Sequence, residues 1–371
     1  MNNSIYLDNA ATTPVLQCAR DTYIKYMDNF YNPSASYIGA RKVREDVEKA
    51  RATIAELVGA DPEEIYFTSG ATEGNNTVIK GCLNQTGGRL VTSNIEHHSV
   101  LNLVDNNSYV IKADLLGHID PYDFDDAIDD TDIVSIMMVN NEIGTVQPIK
   151  KVVEVAKIHN AYVHTDMTQA VGHIPVDCHD LGVDFATASG HKFGAPKGIG
   201  FMYIRKGIHI PSLLIGGRQE RGQRSGTENV AGIMAMAEAL KYNSNKIVDN
   251  KQHLRLLQSY LLSKLREEKF DFFMNSTTMP KDYAGIFNIC MRGLRSEEIV
   301  EFMSTLGIYI SAGSACNTDN GEPSHVLRAI GLTDDEAECS IRISMSLATK
   351  KDEIDSFVNA LKTSVDIKAA V

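Results

Sequence analysis

The chain has 371 residues, 43% of them hydrophobic and 23% charged, with a formal net charge of −12. That length exceeds one compact core and points to two domains, and the composition is that of a globular protein rather than a disordered or fibrous one. The acidic balance argues against direct nucleic-acid binding, and no apolar run is long enough to span a bilayer, so neither a nucleic acid nor a membrane is expected as a direct partner.

The first fourteen residues lack a charged-then-apolar leader pattern. Six cysteines (18, 82, 178, 290, 316 and 339) are scattered without a C-x-x-C pair. No metal site or disulfide framework is expected, and a reducing cytoplasm is.

In chain order, residues 41–59 carry Val43, Val47, Ala50, Ile54, Leu57 and Val58 at helical spacing, stopped by Gly59. A short buried strand is expected over 65–68. Ser69-Gly70-Ala71-Thr72-Glu73 then opens a helix over 72–83. Free N–H groups at such a start suit a phosphate, although Ser/Thr caps open many helices that bind nothing. A strand over 90–93 leads to Glu96-His97-His98, where a ring could stack on a flat cofactor or simply cap a helix. The apolar run Ile133–Val139 predicts one continuous strand, followed by Asn140-Asn141-Glu142, whose amides could bond a phenolic oxygen. Pro148 opens a helix through His159. A strand over 161–165 runs into Asp166, with Gln169 beyond; a carboxylate there suits the protonated nitrogen of a pyridine ring.

A strand over 183–188 delivers Ser189-Gly190-His191-Lys192 into a turn rich in small residues, and a further strand covers 199–204. A lysine so placed is a poor solvated charge. A desolvated amine is a nucleophile toward carbonyls. The plainer alternative is a loop lysine beside a turn. This strand–helix alternation implies a largely parallel sheet covered by helices on both faces, with ligands at the carboxyl ends of its strands.

From about residue 250 the pattern changes. Helices over 254–265, 296–306, 323–330 and 351–363 alternate with strands over 286–290, 308–310 and 341–344, as in a smaller α/β domain. The expected division is a large domain over 15–250 and a small one built from 1–14 and 251–371. Ser311-Ala312-Gly313-Ser314-Ala315-Cys316 reads as a small-residue loop that exposes a thiol, a candidate nucleophile. Arg342 is a charge inside an apolar strand, so it needs either a substrate carboxylate or an internal ion pair.

Four strand ends thus offer a ring, an amide, an acid and a lysine, preceded by an anion site. That set matches the needs of pyridoxal phosphate held on Lys192 as a Schiff base. The strings that carry it, among them YLDNAATTP (6–14), FTSGATEGNN (67–76), EHHSVL (96–101), HTDMTQAVG (164–172), SGHKFGAPKGIG (189–200), RSGTEN (224–229), SAGSACNT (311–318) and SIRIS (340–344), run in one order across nearly the whole chain. In this the chain resembles the class V, fold-type I pyridoxal-phosphate enzymes, and within them the cysteine desulfurases of the long-loop subgroup.

The resemblance implies an α/β fold of the PLP-dependent transferase type I. Its large domain carries a mainly parallel seven-stranded sheet, and a smaller α/β C-terminal domain follows. It implies that Lys192 anchors the cofactor, His97 stacks on its ring, and Asp166 pairs with its nitrogen. Gln169 and Asn141 lie at its oxygen side, and Ala71, Thr72, Ser189 and His191 hold its phosphate. Thr227 reaches the phosphate from a second subunit, so a homodimer is expected. Arg342, with Asn141, binds the carboxylate of L-cysteine. Cys316 takes the sulfur as a persulfide, leaving L-alanine, and passes it to an acceptor protein in iron–sulfur assembly, tRNA thiolation or DNA phosphorothioation.

Two other readings share the residues: a selenocysteine lyase or other C–S lyase, and a non-catalytic adaptor that kept the fold. The family pattern is departed from at Tyr37, at Met167 and over Met345-Ser346-Leu347-Ala348.

Overall fold

The computed structural model describes residues 4–125, 127–130, 132–313 and 322–370. Its strands are β1 Ile5–Tyr6, β2 Ile65–Thr68, β3 Leu90–Ser93, β4 Tyr109–Ile111, β5 Ile133–Ser135, β6 Tyr162–Asp166, β7 Phe185–Ser189, β8 Gly200–Ile204, β9 Phe272–Met274, β10 Ile286–Met291, β11 Ile308–Tyr309, β12 Ser311–Ala312 and β13 Ser340–Ser344. Seven of them form one sheet in the order β2-β8-β7-β6-β5-β3-β4. Only β8 runs against its neighbours; every other pairing in this sheet is parallel. Every residue of β7 and β8 is buried, as expected for strands covered on both faces.

Parallel neighbours need crossovers, and the helix Ile149–Ile158 supplies one between β5 and β6. Ala71–Thr86 carries the chain across the sheet from β2 to β3. The carboxyl ends of β5, β6 and β7 therefore open on the same edge. A second, antiparallel sheet of four strands, β12-β13-β10-β9, is built from the C-terminal third. The N-terminal strand β1 pairs with β11, and Asp8 bridges to Ser344, so the start of the chain lies against this second sheet.

The structure corrects the sequence reading in several elements. The run Ile133–Val139 is not one strand: β5 ends at Ser135. Beyond it β3 has already turned away, and both oxygens of the Glu96 carboxylate take the N–H of Met137 instead. Two long helices, Gln17–Met27 and Val230–Ser244, are additions to the sequence reading. The second is apolar and small on nearly every side and is packed between neighbouring helices, so it shows no stripe. The first buries only Ala19 and Tyr26. The helix expected over 41–59 begins earlier, as Ile38–Leu57. The C-terminal helix is longer than expected, Lys351–Ala370.

Candidate active site

A cavity of about 340 Å³ opens where the strand ends of the large sheet face the second sheet, a size that suits a cofactor with a small substrate. Its wall includes Ala71, Thr72, His97, Asn141, Asp166, Gln169, Ser189, His191, Lys192 and Arg342. Thr227 is exposed and not part of this wall. Cys316 lies outside the described residues.

At one end, helix Ala71–Thr86 points its N-terminus into the cavity, with Gly70 as a cap that has no side chain to fill the space. The Ala71 N–H donates to Ser189 Oγ at 2.7 Å. Residues 70–72, Ser189 and His191 thus enclose a pocket end lined by donors and a positive helix terminus. Burial, followed by the nearby Lys192 charge, pushes the His191 ring down to about 4, so it is neutral near pH 7. Its Nδ1 lies 3.1 Å from Thr12 Oγ1.

Asp166 closes β6 and is buried. Its Oδ2 accepts from Asn75 Nδ2 at 2.8 Å, and Oδ1 accepts from the Thr168 N–H at 2.9 Å. Asn75 ties this carboxylate to its surroundings. Its Oδ1 accepts from Thr187 Oγ1 at 2.5 Å, and its amide also donates to Ser99 Oγ at 2.8 Å. Ser99 in turn holds His97: its backbone N–H donates to His97 Nδ1 at 3.1 Å. The neutral ring therefore carries its proton on Nε2. Burial and, less, the Lys192 and His98 charges hold the His97 pKa below the ordinary imidazole value, while Asp166 opposes them.

Lys192 sits in the turn after β7. Its Nζ donates to the carbonyls of Ala10 and Ala11 at 2.7 and 2.9 Å. Gln169 Nε2 donates to the same Ala10 carbonyl at 2.9 Å. Arg342, in β13, is 1% exposed. The internal ion pair considered for it is present: Nη2 donates to Asp8 Oδ1 at 2.8 Å. Nη1 donates to the Asn141 carbonyl at 3.0 Å. Its Nε is buried with no partner among the described residues.

The residues present fit pyridoxal phosphate. Thr168 Oγ1 and Arg342 Nε are buried polar atoms of the cavity wall without a partner among the described residues, and such atoms call for a ligand or water. A lysine, a buried carboxylate, a ring and a helix N-terminus converge on one space, which is the donor set that the group needs.

Sequence reasoning missed Asn75, Ser99, Thr168 and the carbonyls of Ala10 and Ala11. Asn75 left a signal: it follows Ala71 by four residues, so it shares the helix face that meets the cavity. The others left none, because the contacts join segments far apart in the chain.

A family model described as aminotransferase class-V matches residues 5–357. A cysteine desulfurase, IscS, of Methanosarcina thermophila is 38% identical over 365 residues, spanning 95% of this chain and 90% of that protein. IscS of Dictyoglomus turgidum is 38% identical over 380 residues, 99% of this chain and 95% of that protein. Among solved structures, a NifS-like protein from Rickettsia africae matches with a TM-score of 0.89 at 31% identity, covering 98% of this chain and 100% of that one. A structure described as SspA in complex with cysteine matches with a TM-score of 0.80 at 34% identity, covering 92% and 99%.

Proposed function

The chain belongs to the class-V aminotransferase family and is a PLP-dependent cysteine desulfurase, and from that premise we propose a role for each residue of the cavity. Bound there, the cofactor supplies an aldehyde carbon for an amine to join and a ring that draws off electrons. Lys192 would hold the aldehyde carbon, and Asp166 the pyridine nitrogen. Ala71, Thr72, Ser189 and His191 would hold the phosphate, with Thr227 of a second copy. Gln169 and Asn141 would lie at the phenolic oxygen, and His97 over the ring. The observation that carries this reading is the convergence of Lys192, Asp166, His97 and Arg342 on one cavity.

Arg342 receives the substrate carboxylate, supported by its burial and its unpartnered Nε. Lys192, when its amine is free, would take and return a proton at the substrate α-carbon. Asn75, through Asp166 and Ser99, keeps acid and ring in fixed relation.

Cys316 takes the sulfur. Elimination among the six cysteines supports this. Burial pushes the Cys82 thiol up to about 12 and the Cys290 thiol to about 11, and raises Cys178 further. Cys339 is buried, and Cys18 is half-buried against the Glu238 carbonyl. A thiolate is the required nucleophile, so buried thiols are poor candidates. In the step, the Cys316 sulfur bonds to the substrate sulfur and the substrate C–S bond breaks. The substrate β-carbon gains a proton, so one thiol and one cysteine give one persulfide and one alanine. An acceptor protein then collects that sulfur.

The chain works as a homodimer in the cytoplasm. Phe30 (80% exposed), Ile38 (77%) and Ile215 (92%) are large apolar side chains left uncovered in one copy. Among the described residues no helix is long and apolar enough to cross a membrane.

The test uses two variants. Lys192→Ala abolishes the visible absorption of the purified protein. Cys316→Ala keeps that absorption but lowers alanine formation from L-cysteine by at least about 100-fold, and sulfur-labelled cysteine no longer marks the chain. A Cys316→Ala protein that forms alanine at the native rate would point to a C–S lyase, and a colourless wild type to an adaptor.

A further inference from the structure

One strap of backbone, residues 6–13, ties the carboxylate end of the cavity to its amine end. Asp8 begins it. Its Oδ1 accepts from Arg342 Nη2 and from Ser311 Oγ, both at 2.8 Å. Ser311 Oγ accepts from the same Nη2 at 3.1 Å. Asp8 is thus the one carboxylate in contact with the buried guanidinium among the described residues. Two residues on, the Ala10 N–H donates to Ser344 Oγ at 2.9 Å. The Ala10 and Ala11 carbonyls hold Lys192 Nζ. Thr13 donates to the His191 carbonyl through both its N–H and its Oγ1. The Tyr6 hydroxyl donates to the Thr12 carbonyl at 2.8 Å and closes the strap on itself.

A guanidinium has five N–H donors in one plane. Asp8, Ser311 and Asn141 take three from Arg342, which fixes the plane. Nε–H is among those left over, buried and without a partner among the described residues. Without Asp8 the plane would be held only by a hydroxyl and a carbonyl, and the buried charge would lose its counterion.

We propose that Asp8 is a positioning residue of the carboxylate subsite. It holds the Arg342 guanidinium so that its unfilled donors meet a substrate carboxylate at a set distance from Lys192. The strap makes this distance a property of one short covalent segment. The proposal rests on Arg342 as the carboxylate binder. It assigns Asp8 a hydrogen-bonding role first and a charge-balancing role second, so an amide at position 8 should serve.

The experiment titrates the purified, cofactor-loaded protein with L-alanine and with L-alaninamide, following the visible spectrum. L-Alaninamide presents the same amine without the carboxylate. In Asp8→Ala, L-alanine binding weakens by about tenfold or more, since a small misplacement of a positioning group is costly. L-Alaninamide binding changes by less than about twofold, because it makes no demand on the guanidinium. Asp8→Asn binds L-alanine within about threefold of wild type or more tightly, since it keeps an oxygen acceptor and leaves the subsite more positive. For L-cysteine, KM rises in Asp8→Ala by more than kcat falls. Equal weakening of both ligands in Asp8→Ala would mean a merely structural role and overturn the proposal, as would wild-type L-alanine binding. An Asp8→Asn protein as weak as Asp8→Ala would overturn the hydrogen-bonding assignment. Arg342→Lys separates the two readings: if it binds L-alanine like wild type, the assignment of Arg342 itself fails.

Discussion

Glu96 shows how a single buried group sets a local strand boundary and a pH response. Its carboxylate takes the Met137 N–H with both oxygens and accepts from Ser93 Oγ at 2.6 Å. Among the described residues no ion pair holds it, and burial pushes its carboxyl up to about 8 from the usual carboxylate range. In the unfolded chain the group ionises above about 4.5, whereas in the fold it keeps its proton to about 8. The fold binds the extra proton between those values, so Glu96 lowers stability progressively as pH rises through that window. Glu96→Gln cannot ionise. Its melting temperature relative to wild type should therefore climb by about 3 °C or more between pH 5 and pH 8. A difference that stays flat with pH would show that Glu96 is ionised in the fold. Three groups of the cavity wall were legible from position alone: Asp166 closes a strand, and His97 and Lys192 follow strands, that a buried sheet makes recognisable. Asn75 and Ser99, which hold two of those groups in place, were not, because a hydrogen-bonding side chain on a helix looks the same whether it faces solvent or a carboxylate.

At the scale of elements, the edge of the large sheet depends on one buried ion pair. Arg51, from helix Ile38–Leu57, donates to both oxygens of Glu220 at 2.7 and 2.8 Å and to the Ile65 carbonyl at 2.9 Å. Glu220 also accepts the Phe67 N–H at 2.9 Å. Arg218, Glu220 and Arg221 all have positive φ, a conformation that costs non-glycine residues energy and persists only where surroundings enforce it. The pair supplies that enforcement and pins the 218–222 turn to β2, next to the RSGTEN stretch. Arg224 of that stretch pairs with Glu73 of helix Ala71–Thr86. Glu220→Ala leaves Arg51 buried without its main counterion and should cost about 3–5 kcal/mol, read from denaturant unfolding. A loss below about 1 kcal/mol, in the range of surface ion pairs, would rule out this pinning. Helices with a clear stripe, such as Ile38–Leu57, were readable in the sequence. Val230–Ser244 was not, because burial on several sides removes the contrast that periodicity needs.

At the scale of the molecule, two sheets meet across the cavity, and the N-terminal strap crosses between them. The apolar side chains left bare around 27–38 and 213–215 include Tyr37, one of the departures from the family pattern, whose ring packs edge-on against Tyr31. In a homodimer such a surface would be covered. Ile215→Glu should then shift the protein from dimer toward monomer in sedimentation velocity. With Thr227 of the second copy at the phosphate, as proposed, it should also loosen the cofactor. A wild type that sediments as a monomer at micromolar concentration would defeat the dimer assignment.

Composition, strand–helix alternation and strand-end chemistry were enough to specify an α/β fold and to bring His97, Asp166 and Lys192 forward as groups of one cavity, because each of those readings depends on a local pattern of chain. The tertiary structure decided what no local pattern encodes. It decided that Arg342 finds an anion in Asp8, 334 positions away in the chain. It decided that the amine of Lys192 rests on two carbonyls from the N-terminal strap. Sequence spacing carries periodicity, and periodicity determines which face of an element is buried. Which distant side chain then meets that face depends on how the sheets are set against each other, and only the folded chain supplies that.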